Sequence, residues 1–470
     1  MTNRRRSDGR LLAEIEPVIR RSTLTIKVAM ITYGLLVLLS WLWALNASRY
    51  LRPSADDYCI AVRADLGFFG GFVEDWLTWS GFAVPSLVTN GILGVPLANL
   101  PLSVALAIPF IVGALSTAVA ALLLFWPMLR ARAGVRFAAA LIALLAVMTL
   151  WWAFLWSDYS PTGQSDPSQI ALGLTHWQNL NTGYVIPASF VIILGAWVTR
   201  MKSQNCYFVV SAALLFGLIA GFSGPALALA VLVAAPLFAV SLWVIGDRLW
   251  WAKLITAWFA TLVFLIVSLR APGSQLRSAE VRSDVEVSLS AIPGLFLAVV
   301  PNSAIAWFSM LWQWRSVLVL MSGLVIAYAA RLISESTSIY KPGFALLAMV
   351  VFSLSLSAST TVTDYLTYGA YWHQSSSTVA TFLALLLGGL FLGSWLPTRI
   401  PVGGMLVIPL LLITLGLATS TAVLNMSVSI TDRLVVWETG PAPIEDTIFD
   451  RETQLIQDCW NRLEEIRSAA

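Results

Sequence analysis

Charge is what this chain has little of. Only 11% of its 470 residues are Asp, Glu, Lys or Arg, whereas a water-exposed surface needs about a quarter, so a soluble domain is excluded. Cysteine is scarce as well. Cys59, Cys206 and Cys459 show no CxxC spacing, which indicates neither a disulfide scaffold nor a zinc site. A formal net charge of +3 is too small to argue for nucleic acid, and no nucleic-acid-reading motif interrupts the apolar segments, so nucleic acid drops out as a partner. There is no GxxxxGK[ST] loop and no room for a soluble nucleotide-binding domain.

What the chain has instead is apolar length. It is 58% hydrophobic with a mean hydropathy of +0.80, and a helix across the hydrocarbon layer takes about 20 apolar residues. Spans are expected near 26–48, 101–127, 137–157, 182–199, 206–221, 225–245, 253–269, 313–330, 343–358, 377–396 and 402–424. The expected fold is therefore an all-α integral membrane protein of about 11 transmembrane helices. Arg4, Arg5, Arg6, Arg10, Arg20 and Arg21 precede the first run, and no cleavage site follows it, so the first helix is read as uncleaved with a cytoplasmic start. That start puts Arg130, Arg132, Arg136, Arg200, Lys202, Arg248, Lys253, Arg331, Lys341 and Arg399 inside, as the positive-inside rule requires. Most acids fall outside.

The resulting organisation is a basic cytoplasmic arm (1–25), a polytopic domain (26–424) and an acidic external tail (425–470). External loops are expected at 49–100, 158–181, 270–312 and 359–376. Residues 49–100 and 270–312, the first and fourth loops of the full topology, hold apolar pieces too short to span, so interfacial helices are expected in both. In the first, Gly67, Gly70, Gly71, Glu74, Asp75 and Thr78 share one helical stripe, and Leu66, Phe69, Val73, Trp76 and Leu77 the other. The tail ends in the helix-like TQLIQDCWNRLEEIRSA. Cys59 and Cys459 both fall outside and are able in principle to bond, although nothing in the sequence brings them together.

Polar chemistry gathers on that outer side. Asp56 and Asp57 are adjacent carboxylates in a membrane-hugging loop, suited to act as general base or metal ligand, or else as an inert turn or cap after Pro53. Arg270 and Arg277 flank Pro272-Gly273 and offer forks for a phosphate, or snorkel and pair with Glu280 and Asp284. His176 and Trp177, ahead of Tyr184, are able to hydrogen-bond and stack on a sugar, or form an interfacial belt; His373 has the same ambiguity. Asp75 and Glu74 read either as binding residues or as a solvated helix face.

The ADDYC segment after the first helix, the Trp-x-x-Trp-Ser-Gly element at Trp76 to Gly81, HWQNLNTGYVIP at His176 to Pro187, AGFSGP at Ala220 to Pro225 and APGSQLR at Ala271 to Arg277 together resemble bacterial multi-span glycosyltransferase-like proteins of the GT-C class. The resemblance covers the first 280 residues. It implies residence in the bacterial plasma membrane, a polyprenyl-phosphate-linked sugar as donor and a glycan or other envelope acceptor. Asp56 or Asp57 would activate the acceptor or contact a divalent metal ion, and Arg277 would hold the carrier phosphate. Tyr58, Asp75, Trp79, His176, Trp177, Tyr184 and Arg270 complete the expected binding set. The chain departs from the pattern where Phe82 replaces an expected arginine, Ser274 an asparagine and Gly224 an acid. Two other classes remain open: a transporter or lipid-linked-saccharide flippase, with the Gly221–Pro225 break as its site, and a noncatalytic relative acting in assembly.

Overall fold

The computed structural model describes residues 24–40, 42–43, 56–79, 81–129, 181–201, 205–244, 246–281, 314–334, 343–366, 374–396 and 407–421, with single positions at 294, 301, 304, 305, 308, 458, 459, 461, 462 and 465. Among them the chain is helical and contains no strand. In order come α1 (Leu24–Ser40), α2 (Asp56–Ala64), α3 (Phe68–Thr78), α4 (Ala83–Thr89), a π-helical turn (Asn90–Gly94), α5 (Val95–Asn99) and α6 (Leu102–Leu129). A second π-helical turn (Asn181–Val185) leads into α7 (Ile186–Arg200), α8 (Cys206–Phe222), α9 (Pro225–Val244), α10 (Trp250–Leu269) and α11 (Pro272–Val281). Then follow α12 (Trp314–Ser334), α13 (Gly343–Leu366), α14 (Gln374–Trp395) and α15 (Val407–Thr421).

Among the described residues, four segments are long and apolar enough to cross a membrane: Val104–Leu124, Thr182–Arg200, Pro225–Val244 and Trp250–Leu269. Shorter apolar helices occupy Leu24–Ser40, Cys206–Phe222, Ser316–Leu332, Leu346–Ser359, Val379–Trp395 and Val407–Thr421. The span expected at 137–157 lies outside the described residues. These helices turn large apolar side chains outward, such as Leu24, Leu39, Phe259 and Leu410. Water penalises such a surface and hydrocarbon accepts it, so the chain is a multi-pass membrane protein.

Between helices of equal greasiness to lipid, close backbone approach and small polar pairs supply cohesion. The α8–α10 contact runs through Gly217 and Gly221, spaced four apart, against Ala257, Ala260 and Thr261. The α12–α14 contact uses Gly323, Gly389 and Gly393 in the same way. Thr117 and Ser189 pair at 3.1 Å between α6 and α7, and Ser353 and Thr381 at 2.7 Å between α13 and α14. At one end of the bundle, buried Lys253 donates to the Met201 carbonyl at 2.7 Å and to Asp247 at 2.6 Å. Arg331 donates to the Ser394 and Leu396 carbonyls, both at 2.6 Å, closing the last turn of α14. The opposite end carries the short helices α2 to α5 and α11.

Candidate functional site

The site end is built around α3. Gly67 precedes this helix at φ 80°, a left-handed conformation that favours glycine, and lets the chain reverse from α2. The two stripes read from the sequence are present in part. Gly71 and Asp75 are buried, whereas Leu66, Phe69, Val73 and Leu77 are exposed; Gly67 and Thr78 of the polar stripe are exposed as well, and Trp76 of the apolar one turns toward Phe222. A helix that buries an acid and exposes most of an apolar stripe is suited to a membrane interface. Gly71 allows this approach, since a Cβ there would stand 3.0 Å from both the Arg63 carbonyl and the Asn90 side chain.

Asp75 is only 7% exposed and pairs with Arg63 from α2, whose guanidinium lies over the Trp79 ring at 5.4 Å. Burial pushes the Asp75 carboxyl above its ordinary range; the Arg63 charge and hydrogen bonds from Ser86 and Arg63 pull it back. Beside this pair the buried Asn90, in the first π-helical turn, has an Nδ2 that finds no partner among the described residues. Such turns insert an extra residue into the helix and often accompany functional positions.

Segments far apart in sequence close on this cluster. Trp76 meets Phe222 edge to face at 5.9 Å, and Phe222 meets Phe264 at 5.0 Å, so the AGFSGP segment lies beneath α3. The Gly81 N–H donates to Ser274 Oγ at 2.8 Å, and the Ser268 hydroxyl donates to the Gly81 carbonyl, so the WSG element seats on APGSQLR. Thr89 donates to Thr182 at 2.9 Å, which brings in NTGYV. Residues of the 49–100 segment and those around 270 therefore share one end of the bundle. No family model, curated protein or solved structure matches the chain.

The expected site residues fall in several places. Asp56, Asp57 and Tyr58 open α2, and their side chains lie outside the described part. A helix start suits ionised carboxylates, because the exposed backbone N–H groups make that end electropositive. The pair sits at the far end of α2 from Arg63, roughly 10 Å along the axis at 1.5 Å per residue. Asp75 and Trp79 meet through Arg63; Asp75 is a buried ion-pair member, which corrects the solvated-face alternative for it. Tyr184 lies half-buried in the second π-helical turn. Arg270 is exposed at the C-terminal cap of α10, its carbonyl accepting from Gln275 Nε2 at 3.3 Å. Arg277 is helical in α11 and its side chain is outside the described part; His176, Trp177 and His373 lie outside the described residues. Of the two helices expected in the external loops, α3 answers the first, and α11 stands at the start of the 270–312 segment.

Two features were not read from the sequence, and a third was left open by it. Arg63 is the charge partner of Asp75, twelve positions ahead of it and on a different helix. Asn90 had no signal, because nothing local marks a π-helical turn. The Cys59–Cys459 disulfide joins Cα atoms 5.0 Å apart across 400 residues of sequence. No group of three or more His, Cys, Asp or Glu able to hold a metal ion occurs among the described residues.

Proposed function

We propose that the chain is a GT-C-like membrane glycosyltransferase with about 11 crossings, moving a sugar from a polyprenyl-phosphate-linked donor to an envelope acceptor at the non-cytosolic face. The observation that supports this reading is convergence. AGFSGP and APGSQLR both touch the Trp76–Gly81 element, across up to about two hundred residues, and NTGYV joins the same end of the bundle through Thr89 of α4. Scattered interfacial residues would have no reason to meet.

In this reading Asp56 or Asp57 takes the acceptor hydroxyl proton as the oxygen attacks the anomeric carbon, and the polyprenyl phosphate leaves. Arg270 and Arg277 would neutralise that leaving phosphate. Asp75, Trp79, Tyr58, Tyr184, His176 and Trp177 would surround the sugar, and the isoprenoid tail would stay in hydrocarbon beside the greasy face of α3. Two departures from the family pattern have local reasons. Ser274 is committed to the Gly81 N–H, and Gly224 adopts φ 109°, a conformation an acid would enter only with strain. A transporter site calls for a broken helix near the midplane; here Gly224 lies in the short turn between α8 and α9.

The test is transfer by the reconstituted full chain from a polyprenyl-phosphate-linked sugar. Asp56→Asn or Asp57→Asn should lower the rate by at least about a hundredfold, the usual contribution of a general base; undiminished transfer by both variants removes the mechanism. Carrier binding without any transfer would favour the noncatalytic assembly reading, for which the substitutions at Phe82, Ser274 and Gly224 already speak.

A further inference from the structure

The C-terminal segment has no part in the reaction just described, yet it is bonded to the helix that carries Asp56 and Asp57. Cys459 is joined to Cys59 and packs against a small apolar cluster of Ile60, Ala61, Leu93, Leu97, Ala105 and Leu106, drawn from α2, the first π-helical turn, α5 and α6. Around it the sequence repeats apolar residues at helical spacing: Ile456, Cys459, Trp460, Leu463 and Ile466. Asp458, Asn461, Arg462 and Glu465 are exposed, so the described part of this segment turns its cysteine inward and its charges outward. Cys59 itself is buried, one helical turn after Asp56.

We propose that the Cys59–Cys459 bond is a strap, closed by a protein disulfide donor on the non-cytosolic side, that fastens the C-terminal helix onto α2 and holds the acidic start of α2 in place. In the closing step the two thiols lose two protons and two electrons to the donor's disulfide, which leaves as a dithiol. Such bonds persist in oxidising compartments and are rare where thiols are kept reduced. The bond therefore assigns the α2 end of the bundle, with the tail, to the oxidising face. Cys206 gives the opposite reference. It is free and exposed at the N-terminus of α8, while Phe222 at the C-terminus of the same helix touches Trp76 of the site end. The inference concerns sidedness and a covalent tether, and it stands or falls separately from sugar transfer.

The experiment counts thiols and measures backbone exchange on the full chain. Intact cells, or right-side-out vesicles, are treated with a membrane-impermeant maleimide before and after an impermeant reductant. No label is expected without reductant, label at the half-buried Cys459 after it, and label at Cys206 only after permeabilisation. Hydrogen exchange of residues 56–64 in the purified protein should then rise on the order of tenfold or more when the bond is reduced, or in Cys459→Ser. Three reactive thiols in the untreated protein would overturn the bond. Labelling of Cys459 only after permeabilisation would overturn the sidedness, and unchanged exchange after reduction would overturn the strap. Reduction of the folded wild type carries the last measurement if the Cys459→Ser variant fails to accumulate.

Discussion

Ser274 holds Gly81 by its backbone N–H at 2.8 Å across 193 residues of sequence, and Ser268 returns a hydroxyl bond to the carbonyl of the same glycine. This two-sided seat joins the start of α4 to the α10–α11 turn. It leaves no room for a side chain, since a Cβ on Gly81 would meet Ala271 Cβ at 2.5 Å and the Ser274 hydroxyl at 2.6 Å. Ser274→Ala removes one acceptor and should cost about 1 kcal/mol. Gly81→Ala must push the loop off its seat and should cost about 2–3 kcal/mol, the range of core overpacking. Thermal unfolding in lipid nanodiscs checks the order; an alanine at 81 no worse than one at 274 would contradict the seat.

The Arg63–Asp75 pair predicts a pH response. Because burial holds the folded Asp75 carboxyl above its unfolded value, the fold prefers the protonated acid. That preference is fully present below the unfolded carboxylate range and is lost as pH rises through the folded value. Arg63→Met removes the counter-charge and should steepen the decline in stability over the pH interval above the ordinary carboxylate range. Asp75→Asn should flatten it. Melting temperatures across that interval decide the matter, and identical slopes in both variants would exclude Asp75 as the titrating group.

The gathering of separate segments at one end of the bundle was legible from residue patterns, and the contacts that were not share a cause. The stripe on α3 was readable because one helix carries its own periodicity, and the four motif segments were readable as a set because each is locally distinctive. Arg63 and Asp75 sit on separate helices around a glycine turn, so no spacing rule links them. The Cys59–Cys459 bond spans 400 residues, and a three-cysteine count gives no connectivity. Local pattern showed which face of α3 differs from the other. Which face turns inward depended on lipid outside and Asn90, Arg63 and Phe222 inside, information that only packing supplies.

Two glycines in neighbouring helices should respond oppositely to alanine. At Gly195 in α7 the nearest atom to a new Cβ is a Phe216 ring carbon at 3.4 Å, ordinary contact. Gly195→Ala should therefore be neutral or gain up to about 1 kcal/mol from helix propensity. At Gly217 in α8 the same methyl would lie 2.5 Å from Ala260 Cβ and 2.7 Å from the Ala257 carbonyl. Gly217→Ala should force α8 and α10 apart and cost about 1–3 kcal/mol. Since Phe222 on α8 supports Trp76, tryptophan emission should also shift in Gly217→Ala and stay unchanged in Gly195→Ala.

At the opposite end, Lys253 is nearly fully buried and serves two acceptors at once, Asp247 on the α9–α10 turn and the Met201 carbonyl after α7. Asp247 does two jobs as well, because its other oxygen accepts the Leu249 N–H at 2.9 Å. The two substitutions therefore differ. Asp247→Asn keeps an oxygen for Leu249 or Lys253 but not both and turns an amide N–H toward the other, while Lys253 retains the Met201 carbonyl, so it should cost about 1–3 kcal/mol, as for a lost charged hydrogen bond. Lys253→Ala leaves a mostly buried carboxylate and a carbonyl without their donor and should cost about 3 kcal/mol or more, as when one member of a buried pair is removed. The double variant should be less harmful than the sum of the singles, because the second change removes the charge the first one stranded. Unfolding midpoints for the three proteins test this directly, and strict additivity would mean that the ion pair contributes nothing beyond its separate parts.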